Sequence, residues 1–245
     1  MIIYLQSHPS ANIRLFCFPY AGGGTISFRS WKRNLPGLEV CAIELPGRGT
    51  QRKLPPFTQI EPLVQAITAS ILPHLNKPFA FFGHSMGAIV SFELTRFLRK
   101  NYGIEPIHLF VSGRRAPQIS SEAPFIHTLP EPEFLAKLRH LNGTPEVVLN
   151  NAELMELLSP IIRADFAVVE TYVYTEESPL NCPITAFGGL QDPEVNLTEL
   201  EAWGQQTNAT FSVEMLPGDH FFLHSAENLL LRSIEKSLQI GNSKA

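Results

Sequence analysis

Short apolar runs with almost no polar interruption alternate with longer stretches of helical spacing, and this alternation limits the fold more than any other feature of the chain. IRLFCF (13–18), LEVCAIEL (38–45), FAFFG (79–83) and IHLFVSG (107–113) read as strands. They lack a polar face, as strands covered on both sides must. Between them, 27–35 reads as a short helix. Residues 60–75 carry Ile60, Leu63, Val64, Ile67, Ile71 and Leu75 at helical spacing, and 86–100 reads as a further helix. The order strand, helix, strand predicts an α/β fold, with a mostly parallel central sheet and helices on both faces. From Arg114 to about Tyr174 the rhythm breaks. PEFLAKLRHL and AELMELLSPIIRADFAVVETY are helical in spacing with no strand core, so 114–175 is expected as an inserted helical lid. CPITAFGG (182–189), ATFSVEML (209–216) and a helix over roughly 222–239 resume the sheet pattern. At 245 residues, one domain (1–245) carrying the insertion is the simplest division.

Composition then removes whole classes of function. Apolar residues make up 44% and charged residues 17%, so the chain is not disordered. The net charge of −4 is the wrong sign for a general nucleic-acid surface. Cys17, Cys41 and Cys182 sit in apolar runs without a CxxC pair, so neither a metal site nor a redox motif is expected. The start MIIYLQSHPS lacks the basic, then long apolar, pattern of a signal peptide, and no apolar run reaches 18 residues. A cytoplasmic chain with no membrane partner is the expectation.

Gly83-His84-Ser85-Met86-Gly87 fits G-x-S-x-G and lies between a strand and a helix, as a nucleophile elbow requires. Glycine at both flanks lets strand and helix approach, and the serine hydroxyl stands at a helix N-terminus. A serine hydroxyl needs a base. On folds with such an elbow the order is serine, acid, histidine. His220, in LPGDHFF directly after a strand, lies at the same sheet edge as Ser85, whereas His224 reads as a packed or solvated helix residue and His84 as pointing away from the serine. The chain holds 20 Glu but only three Asp. Asp192 follows the strand ITAFGG by a short loop, Asp165 lies inside the insertion, and Asp219 is adjacent to His220. Asp192 is therefore the expected acid, with Glu194 the weaker competitor on its loop.

An oxyanion hole completes such a site. One amide comes from the residue after the nucleophile, Met86, and the other from the early glycine loop Pro19–Gly24. Tyr20 is the favoured donor there, with Ala21 next. Such donors supply about 3–4 kcal/mol of transition-state stabilisation. The loop is not a nucleotide cradle. Thr25-Ile26 replaces the Lys-Ser/Thr of a P-loop, and the spacing does not match G-x-G-x-x-G.

LFCFPYAGGG, ELPGRG, FFGHSMGA, IRADFAVVETY, FGGLQDPEV and LPGDHFFLH, in this order, resemble the type II thioesterases of nonribosomal peptide and polyketide assembly lines, from about residue 13 to 238. The resemblance implies an α/β-hydrolase fold with a helical lid and a free-standing chain; a monomer is the separate expectation. It implies hydrolysis of acyl groups stranded as thioesters on the phosphopantetheine arm of acyl or peptidyl carrier proteins, with no cofactor of the enzyme's own. By position it makes Ser85 the nucleophile, Asp192 the acid and His220 the base, as the residues themselves suggest. Carrier proteins of this kind are usually acidic, so Arg48, Arg52 and Lys53 are candidates for carrier or arm contact, against the plain alternative of a solvated loop. A general carboxylesterase or lipase-like enzyme, or an acyl-CoA hydrolase, is the alternative on the same fold. A terminal cyclase, or a hydrolase-like binding protein without catalysis, lies further off, the latter because the triad is complete.

Overall fold

The computed structural model describes residues 1–4, 11–120 and 124–238. In chain order the strands are β1 (Ile2–Tyr4), β2 (Ile13–Phe18), β3 (Leu38–Ile43), β4 (Phe79–His84), β5 (His108–Ser112), β6 (Ile184–Gly189) and β7 (Phe211–Leu216). The α-helices are α1 (Trp31–Asn34), α2 (Ile60–Ile71), α3 (Met86–Tyr102), α4 (Glu131–Leu141), α5 (Glu146–Leu149), α6 (Ala152–Glu170), α7 (Leu197–Glu201), α8 (Phe222–Ser225) and α9 (Glu227–Ser237). The strands form one sheet in the order β1-β3-β2-β4-β5-β6-β7. Neighbours from β3 to β7 are parallel, and β1 pairs antiparallel with β3 at the edge.

The apolar runs are continuous because alternate side chains enter opposite cores. Phe16 and Phe18 of β2, with Phe79 and Phe81 of β4, meet α2 and α3 on one face. Leu15 and Cys17, with Phe82, meet α1, α8 and α9 on the other. Helix α3 runs behind β4, and 11 of its residues are buried, so it shows little amphipathic pattern. It ends at Gly103, whose φ of +67° and N–H to the Arg99 carbonyl form a left-handed cap. All three cysteines are buried and unpaired.

Between β5 and β6 the insertion contributes α4, α5 and α6 around its own small core of Phe134, Leu138, Leu149, Met155 and Ile162. Asn151 caps α6 by accepting from the Leu154 amide.

The secondary structure differs from the sequence reading in several places, among them the helix expected over 60–75, which ends at Ile71 and continues as a 3-10 turn, Leu72–His74. The expected helix over 27–35 is a 3-10 turn, Thr25–Phe28, followed by the single turn α1. Phe28 and Trp31, three apart, both turn onto Phe82, with ring centroids at 6.1 and 4.8 Å. That burial outweighs continuous α-helical geometry. The expected helix over 222–239 divides at Ala226 into α8 and α9, and residue 239 lies outside the described residues. Strand β1 is an addition, and so are α7 and the 3-10 turn Ala202–Gln206 after it, which buries Trp203.

Candidate active site

Ser85 sits where β4 turns into α3, at the carboxyl ends of the parallel strands. Its φ of +53° is one of two positive values among non-glycine residues described. Its amide is tied to the Ser112 carbonyl of β5 at 2.7 Å. This conformation costs energy that the surrounding contacts must supply. The flanking glycines are steric requirements. A Cβ on Gly83 would stand 2.0 Å from the Gly87 carbonyl oxygen, and one on Gly87 would stand 2.1 Å from that of Phe18.

Asp192 and His220 come from the loops after β6 and β7. The two loops are zipped together: the Leu190 amide donates to Leu216, and the Gln191 amide to Gly218. The Gln191 side chain in turn accepts from the Gly218 amide at 2.7 Å. Gly189 lies so close to Asp219 that a Cβ would meet its carbonyl oxygen at 2.4 Å. This places Asp192 Oδ2 2.8 Å from His220 Nδ1, with the Asp192 side chain fully buried. Asp192 Oδ1 accepts from the Glu194 amide at 2.8 Å, so Glu194 supports the aspartate through its backbone. A carboxylate can only accept, so Nδ1 carries the hydrogen and the Nε2 lone pair is free to act as a base.

Ser85 and His220 line one cavity of about 160 Å3, together with Tyr20, Ala21 and Met86. Asp192 and His220 are hydrogen-bonded; among the described residues, Ser85 Oγ makes no hydrogen bond and shares only the cavity with the imidazole. Such contacts are often loose before substrate binds. The amides of Gly22 and Gly23 are already spent, on Asp165 and on the Tyr20 carbonyl. Of the loop amides left over, those of Tyr20 and Ala21 belong to residues that line the cavity with Ser85, and Gly24 does not line it. A second hollow of about 390 Å3 shares Arg114, Arg115, Val169 and Glu170 with the first.

The other histidines do different work. His84 is buried against β5, with Nδ1 2.9 Å from Ser112 Oγ. Burial, reinforced by the nearby His220, pushes its pKa well below the ordinary imidazole range, so it stays neutral under the His220 ring, 5.3 Å away. His224 Nε2 lies 3.3 Å from the Tyr20 hydroxyl. Asp219 accepts from the Phe221 amide and from Asn142 at the end of α4, which ties the insertion to the His220 loop.

Arg48 requires a correction. The sequence groups it with Arg52 and Lys53 as a basic surface cluster, but the structure turns it inward. One guanidinium nitrogen donates to the Gly23 carbonyl at 2.6 Å and the other meets Asp165 at 2.7 Å. Arg48 and Asp165 are mostly buried, whereas Arg52 and Lys53 are exposed. The sequence sets Asp165 aside as an aspartate inside the insertion and gives it no role. The available signal was its rarity, one of three aspartates among 23 acidic residues.

An elbow serine, a histidine and a buried aspartate at the carboxyl edge of a mostly parallel sheet define an α/β hydrolase. The chain belongs to the thioesterase family: the family model described as a thioesterase domain matches residues 13–238. It is accordingly a hydrolase of thioesters. The linear gramicidin dehydrogenase LgrE of Brevibacillus parabrevis is 49% identical, over 94% of this chain and 89% of its own length. The gramicidin S biosynthesis protein GrsT of Aneurinibacillus migulanus is 48% identical, over 94% of this chain and 91% of its own. The solved structure of BorB, a type II thioesterase from the borrelidin biosynthetic cluster, superposes with a TM-score of 0.88 at 35% identity, covering 96% of each chain. No helix among the described residues is long and apolar enough to cross a membrane, and no group of metal-ligating side chains is found among them.

Proposed function

We propose that this thioesterase clears acyl or aminoacyl groups from the phosphopantetheine arm of carrier proteins in peptide or polyketide assembly, using Ser85, His220 and Asp192. The observation that carries the reading is the Asp192–His220 hydrogen bond, with His220 lining the same cavity as Ser85. Kinship with proteins named for gramicidin and borrelidin biosynthesis supports the carrier-bound substrate.

In this reading His220 Nε2 takes the Ser85 proton as Oγ adds to the thioester carbonyl. The tetrahedral oxyanion accepts from the Met86 amide and from Ala21 or Tyr20. The intermediate collapses with cleavage of the carbon–sulfur bond, and the imidazolium protonates the departing thiolate. Water, deprotonated by His220, then attacks the acyl-serine and releases the free acid and Ser85. Asp192 holds the imidazole tautomer and stabilises its charged form. The two neighbouring hollows, which share four lining residues, give the acyl group room beneath the insertion, 114–175, acting as a lid. No step draws on a cofactor. Arg52 and Lys53 are the exposed cations for an acidic carrier, with Arg48 withdrawn from that role.

The name of LgrE points to redox chemistry in that protein. Here the glycine loop after β2 lacks the G-x-G-x-x-G spacing, and its Gly22 and Gly23 amides donate to Asp165 and to the Tyr20 carbonyl. The hydrolytic reading is retained. The test compares kcat/KM on acyl carriers, acyl-CoA and p-nitrophenyl esters, with Ser85→Ala as control. The expected result is preference for the carriers and loss of turnover in the variant. Equal rates on all three acyl donors would defeat the carrier assignment, and an active Ser85→Ala enzyme would defeat the nucleophile. Charge reversal at Arg52 and Lys53 should raise KM for carriers alone.

A further inference from the structure

We propose that Asp165, neutralised by Arg48, is a positioning residue of the oxyanion loop, reaching from the insertion to fix the backbone that presents the Tyr20 and Ala21 amides. The inference rests on the serine-hydrolase reading and goes beyond its triad.

Between β2 and the Thr25–Phe28 turn, the loop has one internal hydrogen bond, Gly23 N–H to the Tyr20 carbonyl at 2.9 Å. One such bond does not lock a segment containing three consecutive glycines, each conformationally permissive. The remaining restraints come from outside. The Gly22 amide donates to Asp165 Oδ2 at 2.8 Å. Arg48 donates to the Gly23 carbonyl at 2.6 Å and to Asp165 Oδ1 at 2.7 Å. One carboxylate and one guanidinium thus close a ring around the Gly22–Gly23 backbone. Ile162, one turn earlier on α6, packs on the same spot: a Cβ added to Gly22, at φ +76°, would stand 3.1 Å from its Cγ1.

The charges explain why a pair is needed. A lone carboxylate bonded to the residue beside the oxyanion donors would oppose the negative charge that develops there, and it would be a buried, unpaired ion. Arg48 cancels that field while adding a second tether to the loop. Asp165 also claims the Gly22 N–H, which turns that amide away from the cavity and leaves the role to Ala21 or Tyr20. Neither Asp165 nor Arg48 lines the catalytic cavity, so both act through the backbone.

The test measures kcat, KM, the pH profile and thermal unfolding for Arg48→Met, Asp165→Asn and the double variant, on a small acyl thioester. Arg48→Met leaves the bare carboxylate and should lower kcat about 100-fold, with KM within threefold and the pH profile unchanged. Asp165→Asn keeps size and an acceptor oxygen, and should lose about tenfold. The double variant, electrically neutral, should recover at least tenfold over Arg48→Met. Should Arg48→Met fail to fold, Asp165→Asn and the double variant decide. Unaltered kcat in folded variants that lose only thermal stability would overturn the proposal, as would losses confined to KM or a double variant worse than Arg48→Met. Ser85→Ala on the same substrate separates the two readings: if it stays active the hydrolase mechanism falls, and if it is dead while clamp variants run normally only the clamp falls.

Discussion

Replacing Gly87 with alanine should separate the proposed nucleophile, Ser85, from its proposed oxyanion donors by a distance the structure specifies. The new Cβ would start 2.1 Å from the Phe18 carbonyl oxygen, 2.6 Å from its carbon and 2.9 Å from the Pro19 oxygen. Carbon atoms of this kind essentially never approach closer than 3.0 Å, so α3 and the end of β2 must part by at least about 0.9 Å, the difference between 3.0 and 2.1 Å. The opposing atoms are backbone and cannot swing aside. Phe18 leads directly into the loop carrying Tyr20 and Ala21, while Gly87 lies two residues after Ser85. The shift therefore falls between Ser85 and one of the two amides proposed as its oxyanion donors. A misplacement near 1 Å costs roughly 100-fold in rate, or about 2.7 kcal/mol of barrier. Overpacking should also remove about 1–3 kcal/mol of stability. The assay is thiol release from a small acyl thioester, well below the unfolding temperature, alongside thermal denaturation. Gly103→Ala is the control. It has φ +67° but nothing within 4 Å of the added Cβ, so it should lose about 1–2 kcal/mol of stability and keep its kcat. Folded Gly87→Ala enzyme with kcat within twofold of wild type would refute the steric argument, as would an equal catalytic loss in Gly103→Ala.

Two further predictions concern protons. Asp192→Asn can donate but no longer demands a hydrogen on His220 Nδ1; kcat should fall by about 10⁴ with little change in KM, and a loss under tenfold would remove Asp192 from the catalytic set. His108, stacked on Phe110 at 4.2 Å and bonded through Nε2 to Thr185, has its pKa pushed down to about 4 by burial. At His108 the unfolded chain takes up a proton near pH 6.5 that the folded chain refuses until about 4, so this residue's contribution is full above 6.5 and falls by up to about 1.4 kcal/mol per pH unit between those values, with His84, also held low by burial, adding to the slope in the same direction. His108→Gln should lessen that slope in the unfolding midpoint plotted against pH, leaving the His84 share, and an unchanged slope would contradict the assignment.

The amino-acid order alone determined the α/β architecture, because each central strand needs two buried faces and announces this as a local run of apolar residues. It also marked the residues proposed for catalysis, Ser85 through the flanking glycines, and Asp192 and His220 through their places after the last two strands. Periodicity extends over a few residues, so it could not see β1, whose three residues become a strand only by pairing with β3. Nor could it see the break of 27–35, which depends on Phe82 receiving two rings at once. The inward turn of Arg48 was likewise invisible. Its partner lies 117 residues away, and a guanidinium in a polar loop reads as solvated until a buried carboxylate is brought to meet it. Local sequence wrote the elements and the reactive side chains, whereas the tertiary structure decided which charges would find each other across the sheet edge, since that choice depends on distances set only when insertion and core are packed together.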